Sequence, residues 1–312
     1  MKHYLSVNDI DNLTDWVKEA RDIKANPTQF KTLGEGKTIC LLFFNNSLRT
    51  RLSTQKAAIN LGMDVIVMNF GGEGWALEYV DGTIMDQGKA EHVKEAAQVV
   101  SQYADIIAIR AFASLEDKKQ DESEEVLMAF TKYATVPIVN MESSVGHPLQ
   151  ALADAITLNE ANTKKKPKVV LSWAPHPRAL PHAVANSFVQ MMQLQDADFV
   201  ITHPKGYELD TRITKDSKIE HDQNKALEGA DFVYVKNWSS YSDYGKVLNE
   251  DKNWTITKKK LGNAKFMHCL PVRRNVIVTD EVLDSEQSIV IEQANNRTFS
   301  AQTVLKKILE NL

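Results

Sequence analysis

Cysteine is almost missing from this chain of 312 residues: only Cys40 and Cys269 occur, each inside an apolar run. Two thiols so placed offer no disulfide framework and point to a reducing compartment. Neither sign of charge is in large excess, since 37 basic residues face 41 acidic ones for a formal charge of −4. That balance removes any general electrostatic reason to bind nucleic acid or an anionic membrane. Any anion held here must be held by a local cluster of charge. No run of about 18 apolar residues exists to span a bilayer. The opening Met1-Lys2-His3-Tyr4 lacks the apolar stretch of a signal peptide, so a cytoplasmic location is expected. No histidine or cysteine pair has zinc spacing, and neither a metal nor a cofactor is expected.

What is present is alternation. Short β-rich runs at 37–44, 65–68, 106–110, 136–140, 169–172, 199–202, 232–235, 266–270 and 289–291 are separated by helical patterns at 53–61, 91–103, 124–133, 149–159 and 183–194. Near-continuous apolar strands between amphipathic helices indicate parallel sheets covered on both faces. The length suits two domains, and a polar break at Asn162-Thr163-Lys164-Lys165-Lys166-Pro167 precedes the second group of strands. The expected fold is α/β, with two domains that each carry a central parallel sheet flanked by helices. The first is expected over 1–146, with the final helix, read at 300–310, packing back on it as part of a returning segment 297–312. The second is expected over 147–296.

Two glycine-containing segments are decoys. Gly36-Lys37-Thr38 resembles the end of a phosphate loop, but Lys31 stands where the first glycine belongs, and a strand follows instead of a helix. Gly71-Gly72-Glu73-Gly74 follows a strand, but Leu77 occupies the last glycine position of a dinucleotide fingerprint. A mobile loop is the better reading there.

Ser47-Leu48-Arg49-Thr50-Arg51 is different, because it follows a buried strand and leads into a helix. Hydroxyls, backbone N–H groups, the helix dipole and two guanidinium groups then converge, which is a phosphate site on physical grounds. A Ser/Thr cap with surface arginines is the competing reading, which this segment alone leaves open. Arg110 ends a strand, Glu142 closely follows another, and His147-Pro148-Leu149-Gln150 opens a helix. His268-Cys269-Leu270-Pro271-Val272-Arg273-Arg274-Asn275 lies at a strand end in the second half. Ligands of open α/β sheets bind outside such carboxyl ends.

These motifs, with Glu292-Gln293-Ala294-Asn295-Asn296-Arg297, together resemble the carbamoyltransferase family in order and spacing along essentially the whole chain. The resemblance implies transfer of the carbamoyl group of carbamoyl phosphate to an amine. It implies that Ser47, the Leu48 amide, Arg49, Thr50 and Arg110 hold the phosphate. Thr50, Arg110, His147 and Arg297 would polarise the carbamoyl oxygen, and Gln150 with the backbone carbonyls of Cys269 and Leu270 would take the carbamoyl NH₂. Trp75 resembles a residue that enters a neighbouring subunit's site, implying a homotrimer.

The acceptor amine is read from departures. Ornithine-type members carry Asp-x-Trp-x-Ser-Met-Gly, whereas this chain has Lys236-Asn237-Trp238-Ser239-Ser240-Tyr241-Ser242. Lys236 repels a free α-ammonium but suits an acylated, uncharged α-nitrogen with carboxylates nearby. Trp173-Ala174-Pro175-His176-Pro177-Arg178-Ala179-Leu180-Pro181 resembles the proline-rich loop of the N-acyl-ornithine branch, which implies a trefoil knot in the second domain. Acetyl-type members are expected to have Glu matching Ala90, Lys matching Arg178 and a carboxylated lysine matching Ile277. The first two differences favour a succinyl group, with Arg178 positioned to take its carboxylate, and the third also separates this chain from the acetyl-type members. Glu142, His176, Arg178, Lys236, Arg273, Cys269 and Leu270 are the expected acyl-ornithine contacts, with Ala90 setting specificity. N-succinylornithine is therefore the expected acceptor, and N-acetylornithine is the alternative. A non-catalytic phosphometabolite-binding protein is a further alternative, opposed by Arg49, Arg110, His147 and Gln150. A nucleotide-dependent dehydrogenase fails on the glycine pattern.

Overall fold

The structure, a computed structural model, describes residues 1–70, 72–249 and 251–312; Gly71, where the 71–74 loop reading begins, lies outside the described residues. The chain divides into two compact units, one of Met1–Ser114, Lys119–Leu149 and Arg297–Leu312, the other of Leu115–Lys118 and Gln150–Asn296.

The first unit runs α1 (Leu13–Ala25), β1 (Thr38–Phe43), α2 (Arg49–Asn60), β2 (Asp64–Asn69), and two-residue strands β3 (Leu77–Glu78) and β4 (Glu91–His92). It continues through α3 (Val93–Tyr103), β5 (Ile106–Arg110), α4 (Lys118–Ser123), α5 (Glu125–Tyr133), β6 (Ile138–Glu142) and the start of α6 (Pro148–Ala161). Its sheet has the order β2-β1-β5-β6, all parallel. Side chains alternate across a strand. Cys40 and Leu42 of β1 therefore join Ile107 and Ile109 of β5 and Phe130 of α5 in one core cluster, while Ile39 and Leu41 are also buried. Burial of alternate positions explains why β1 reads as unbroken apolar sequence.

The second unit continues α6 and then runs β7 (Lys168–Trp173), α7 (Ala183–Met192), β8 (Asp198–Thr202), α8 (Thr211–Thr214), β9 (Lys218–Glu220), α9 (Gln223–Leu227) and β10 (Phe232–Lys236). α10 (Lys258–Leu261), β11 (Lys265–Met267), α11 (Asp280–Leu283) and α12 (Val290–Leu309) complete it, the last crossing back at Asn296/Arg297. The sheet order is β11-β10-β7-β8-β9, again all parallel. Val169, Leu171 and Trp173 enter one core cluster and Val170 enters another, so β7 is covered on both faces.

Several boundaries differ from those read in the sequence. The run at 289–291 is not a strand: Ile289 donates one backbone bond to Phe266 and α12 begins at Val290. A three-residue apolar run does not separate strand from buried helix. The helix read at 300–310 starts ten residues earlier for the same reason. α2 begins at Arg49, not residue 53, so the Arg49-Thr50-Arg51 segment forms its first turn. β6 extends through Glu142, not ending at 140, and a register shift between Ile109 and Arg110 sets Glu142 opposite Arg110. β11 stops at Met267, not 270: the His268 N–H donates to the Gln293 side chain instead of a ladder, and Leu270 takes φ of 55°.

Candidate active site

The first unit's polar centre grows from strand and helix ends. β5 ends on Arg110, β6 on Glu142, α2 begins at Arg49, and α12 brings in Arg297. The N-cap residue of α2, Leu48, has no side chain that can cap it, and the first turn has no acidic residue. Helix N-termini favour anions, so two arginines in that turn oppose the usual preference unless a ligand supplies negative charge. The Thr50 N–H donates to Ser47 Oγ at 3.3 Å, which ties the loop to the helix.

Thr50 is the hub. Its hydroxyl accepts from Arg110 Nη1 at 3.0 Å and from Arg297 Nη2 at 2.6 Å. Arg110 also pairs with Glu142, and its guanidinium stacks 4.2 Å from the Phe112 ring. His147 Nε2 lies 3.2 Å from Glu142 Oε2. Thr50, Arg110, Glu142, His147 and Arg297 are all buried. Burial first, then the charges of Arg297 and Arg110, hold the His147 pKa well below the ordinary histidine value. The ring is therefore neutral, and its Nε2, which also lies 3.5 Å from Arg297 Nη2, is assigned the proton by the nearer Glu142 carboxylate. Glu142, expected among the acyl-ornithine contacts, is placed in this cluster against Arg110 and His147.

The neutral His147 has a consequence for stability. Unfolded, the ring protonates near its ordinary value of 6.5; folded, it resists. The unfolded state then binds the extra proton, so stability is complete above about pH 6.5 and falls as pH drops. His147→Asn should flatten that fall by up to about 1.4 kcal/mol per pH unit, measured by urea unfolding across a pH series.

Trp75 and Ala90 flank the small β3–β4 pair, where the Ala90 N–H donates to the Ala76 carbonyl at 3.2 Å. Trp75 is 59% exposed, and its Nε1 donates to Glu91 Oε2 at 2.8 Å. Ala90 is exposed as well. Arg51 stacks over Phe43 and bonds Asn69, whose side chain and backbone are held in turn by Glu73.

In the second unit, β11, β10 and β7 are adjacent, so the segments after them emerge side by side. Arg273 Nε donates to His176 Nε2 at 2.9 Å. His176 Nδ1 then carries the proton, 2.8 Å from the Arg178 carbonyl. Burial chiefly, then Arg273, Lys236 and Arg178, lower the His176 pKa against that carbonyl bond. The three cations named thus share one locality. Lys236 is 9% exposed, and its ammonium donates to the Asn237 carbonyl at 3.0 Å. Among the described residues no carboxylate pairs with Arg178, Lys236 or Arg273. Such a group awaits anions.

Gln150 is anchored by its neighbour one turn on, Nε2 donating to Asp154 Oδ1 at 2.7 Å, and Gln293 Nε2 donates to the same oxygen. Gln293 Oε1 in turn accepts from the His268 N–H at 2.9 Å, and Leu270 N–H donates to His268 Nδ1. One chain of hydrogen bonds through Asp154, Gln293 and His268 thus positions both Gln150 and the Cys269–Leu270 backbone. Asp154 and Phe112 were missed in the sequence. The i,i+4 spacing of Gln150 and Asp154 was the available signal for the first.

The chain belongs to the aspartate/ornithine carbamoyltransferase family: residues 2–160 match its carbamoyl-P binding domain and residues 181–308 its Asp/Orn binding domain. Within that family it is 50% identical, over the full length of both chains, to the N-succinylornithine carbamoyltransferases of Bacteroides fragilis (strain 638R) and Bacteroides thetaiotaomicron. It is 34% identical to the N-acetylornithine carbamoyltransferase of Xanthomonas axonopodis pv. citri, covering 98% of this chain and 96% of that one. Among solved structures, an N-acetyl-L-ornithine transcarbamylase with a glutamate replaced by alanine, complexed with carbamyl phosphate and N-succinyl-L-norvaline, matches with a TM-score of 0.92. That match has 35% identity and covers 99% and 100% of the two chains.

Proposed function

We propose that this protein transfers the carbamoyl group of carbamoyl phosphate to the δ-amine of N-succinylornithine, giving N-succinylcitrulline and phosphate in arginine biosynthesis. The observation that carries the acceptor choice is the cluster of Arg178, Lys236 and Arg273 without a carboxylate partner among the described residues. N-succinylornithine brings two carboxylates and an uncharged α-nitrogen, which suit that field.

Ser47, the Leu48 amide, Arg49, Thr50 and Arg110 bind the phosphate. The neutral amine attacks the carbamoyl carbon, the C–N bond forms, and charge grows on the carbonyl oxygen before the C–O bond to phosphate breaks. Thr50, Arg110, Arg297 and the Nε2–H of neutral His147 stabilise that oxygen, each preorganised donor contributing about 10²–10³ in rate. Gln150 Oε1 and the Cys269 and Leu270 carbonyls accept from the carbamoyl NH₂. The proton lost by the amine leaves with the phosphate, for which no cofactor or metal is required. Release of phosphate that requires both substrates together tests this reading against simple binding of a phosphometabolite.

Ala90 supplies the room and removes the negative charge that would oppose a succinyl carboxylate. The variant relatives with alanine, valine or serine in place of one glutamate, each complexed with N-succinyl-L-norvaline, support this reading. Ala90→Glu should reduce kcat/KM for N-succinylornithine at least about tenfold, roughly 1.4 kcal/mol, while N-acetylornithine is less affected. Steady-state kinetics with both acceptors checks it.

The working form we propose is a cytoplasmic homotrimer in which Trp75 enters a neighbouring copy's site. Leu48, Leu52 and Ile59 along one face of α2, with Ile66 on edge strand β2, are exposed and support an interface there. No helix among the described residues is long and apolar enough to cross a membrane.

A further inference from the structure

We propose that His203, Glu208 and His221 form a binding site for one borderline divalent transition metal, with Zn²⁺ as its natural type. The topology brings them together. β8 and β9 are parallel neighbours in a register that sets Thr202 opposite Glu220. His203 and His221 each directly follow the end of their strand, and their rings lie 5.0 Å apart between centroids. Glu208 reaches the same point from the loop that follows β8. One ligating atom of each residue lies within 4.8 Å of the other two. In a tetrahedral zinc site with bonds of about 2.0–2.1 Å the ligand atoms stand about 3.4 Å apart. Glu208 and His221 are exposed, so their side chains have room to turn toward His203.

The two imidazoles are already set as ligands. His203 Nδ1 lies 2.9 Å from the Pro204 carbonyl, and His221 Nδ1 lies 3.0 Å from the His203 carbonyl. A carbonyl only accepts, so both Nδ1 atoms carry the proton and both lone pairs sit on Nε2. A backbone carbonyl holding the far nitrogen is the usual arrangement behind a metal-bound histidine. His203 is fully buried, and its Nε2 has no partner, an unsatisfied group that a metal would satisfy. Glu208 Oε2 accepts from the Gly206 N–H at 3.0 Å, which orients the carboxylate. Two imidazole nitrogens and one carboxylate suit Zn²⁺, Co²⁺ or Ni²⁺ better than Mg²⁺ or Ca²⁺, with water in the open position.

The site would fasten the β8–β9 crossover beside Tyr207, whose ring packs 4.7 Å from Trp173 and whose carbonyl accepts from Trp238 Nε1 at 2.8 Å. In sequence the three residues are too widely spaced to read as a zinc motif; only the strand register unites them.

The test uses the untagged full-length chain, stripped with chelator and titrated with Zn²⁺ by calorimetry, and with Co²⁺ by visible absorption. One saturable Zn²⁺ per chain, a four- or five-coordinate Co²⁺ spectrum and a rise in Tm are expected. His221→Ala and Glu208→Gln should each weaken Zn²⁺ binding at least about tenfold. Both side chains are exposed, so the variants should fold. Absence of saturable binding, or equal affinity in the double variant, would overturn the proposal.

Discussion

Replacing Arg110 by glutamine is expected to lower kcat about 10³-fold and to raise KM for carbamoyl phosphate, because one guanidinium serves both phosphate and carbonyl oxygen. The same change should destabilise the fold. Arg110 and Glu142 form a buried pair, and removing one partner of such a pair costs about 3–5 kcal/mol. The two effects are separable. Arg110→Gln combined with Glu142→Gln removes the stranded carboxylate and should recover most of the stability without recovering turnover. Urea unfolding and steady-state kinetics on the single and double variants distinguish a catalytic arginine from one that only neutralises Glu142. If the double variant regained activity with stability, Arg110 would be structural.

The second large effect is expected at Lys236. Lys236→Asp reverses charge in a buried position beside Arg178 and Arg273, where truncating a charge partner typically costs about 2–5 kcal/mol. kcat/KM for N-succinylornithine should then fall about 30- to 4,000-fold. The loss should sit mainly in KM for the acceptor, with carbamoyl phosphate binding unchanged. Free ornithine, whose α-ammonium the new carboxylate can pair, should be used better than by the parent. An unchanged acceptor preference would remove Lys236 from the specificity argument.

The legible parts of the fold are those whose signal is local. Unbroken apolar runs marked β1, β5, β7 and β10 because each is buried on both faces. The 289–291 run misled because its one backbone bond to Phe266 is a tertiary fact. In the site, residue types at strand ends pointed to anion chemistry. Their partners, however, depend on register: Glu142 meets Arg110 only through the shift after Ile109. His203 and His221 likewise meet only because Thr202 faces Glu220. The hydrogen bond from Gln293 to Asp154 joins positions separated by 139 residues, beyond any local pattern.

The most direct measurement is a competition. Purified protein with saturating carbamoyl phosphate and equal concentrations of N-succinylornithine, N-acetylornithine and ornithine should form N-succinylcitrulline at least about tenfold faster than either other product, a difference of roughly 1.4 kcal/mol. Equal or faster formation of N-acetylcitrulline or citrulline would contradict the account.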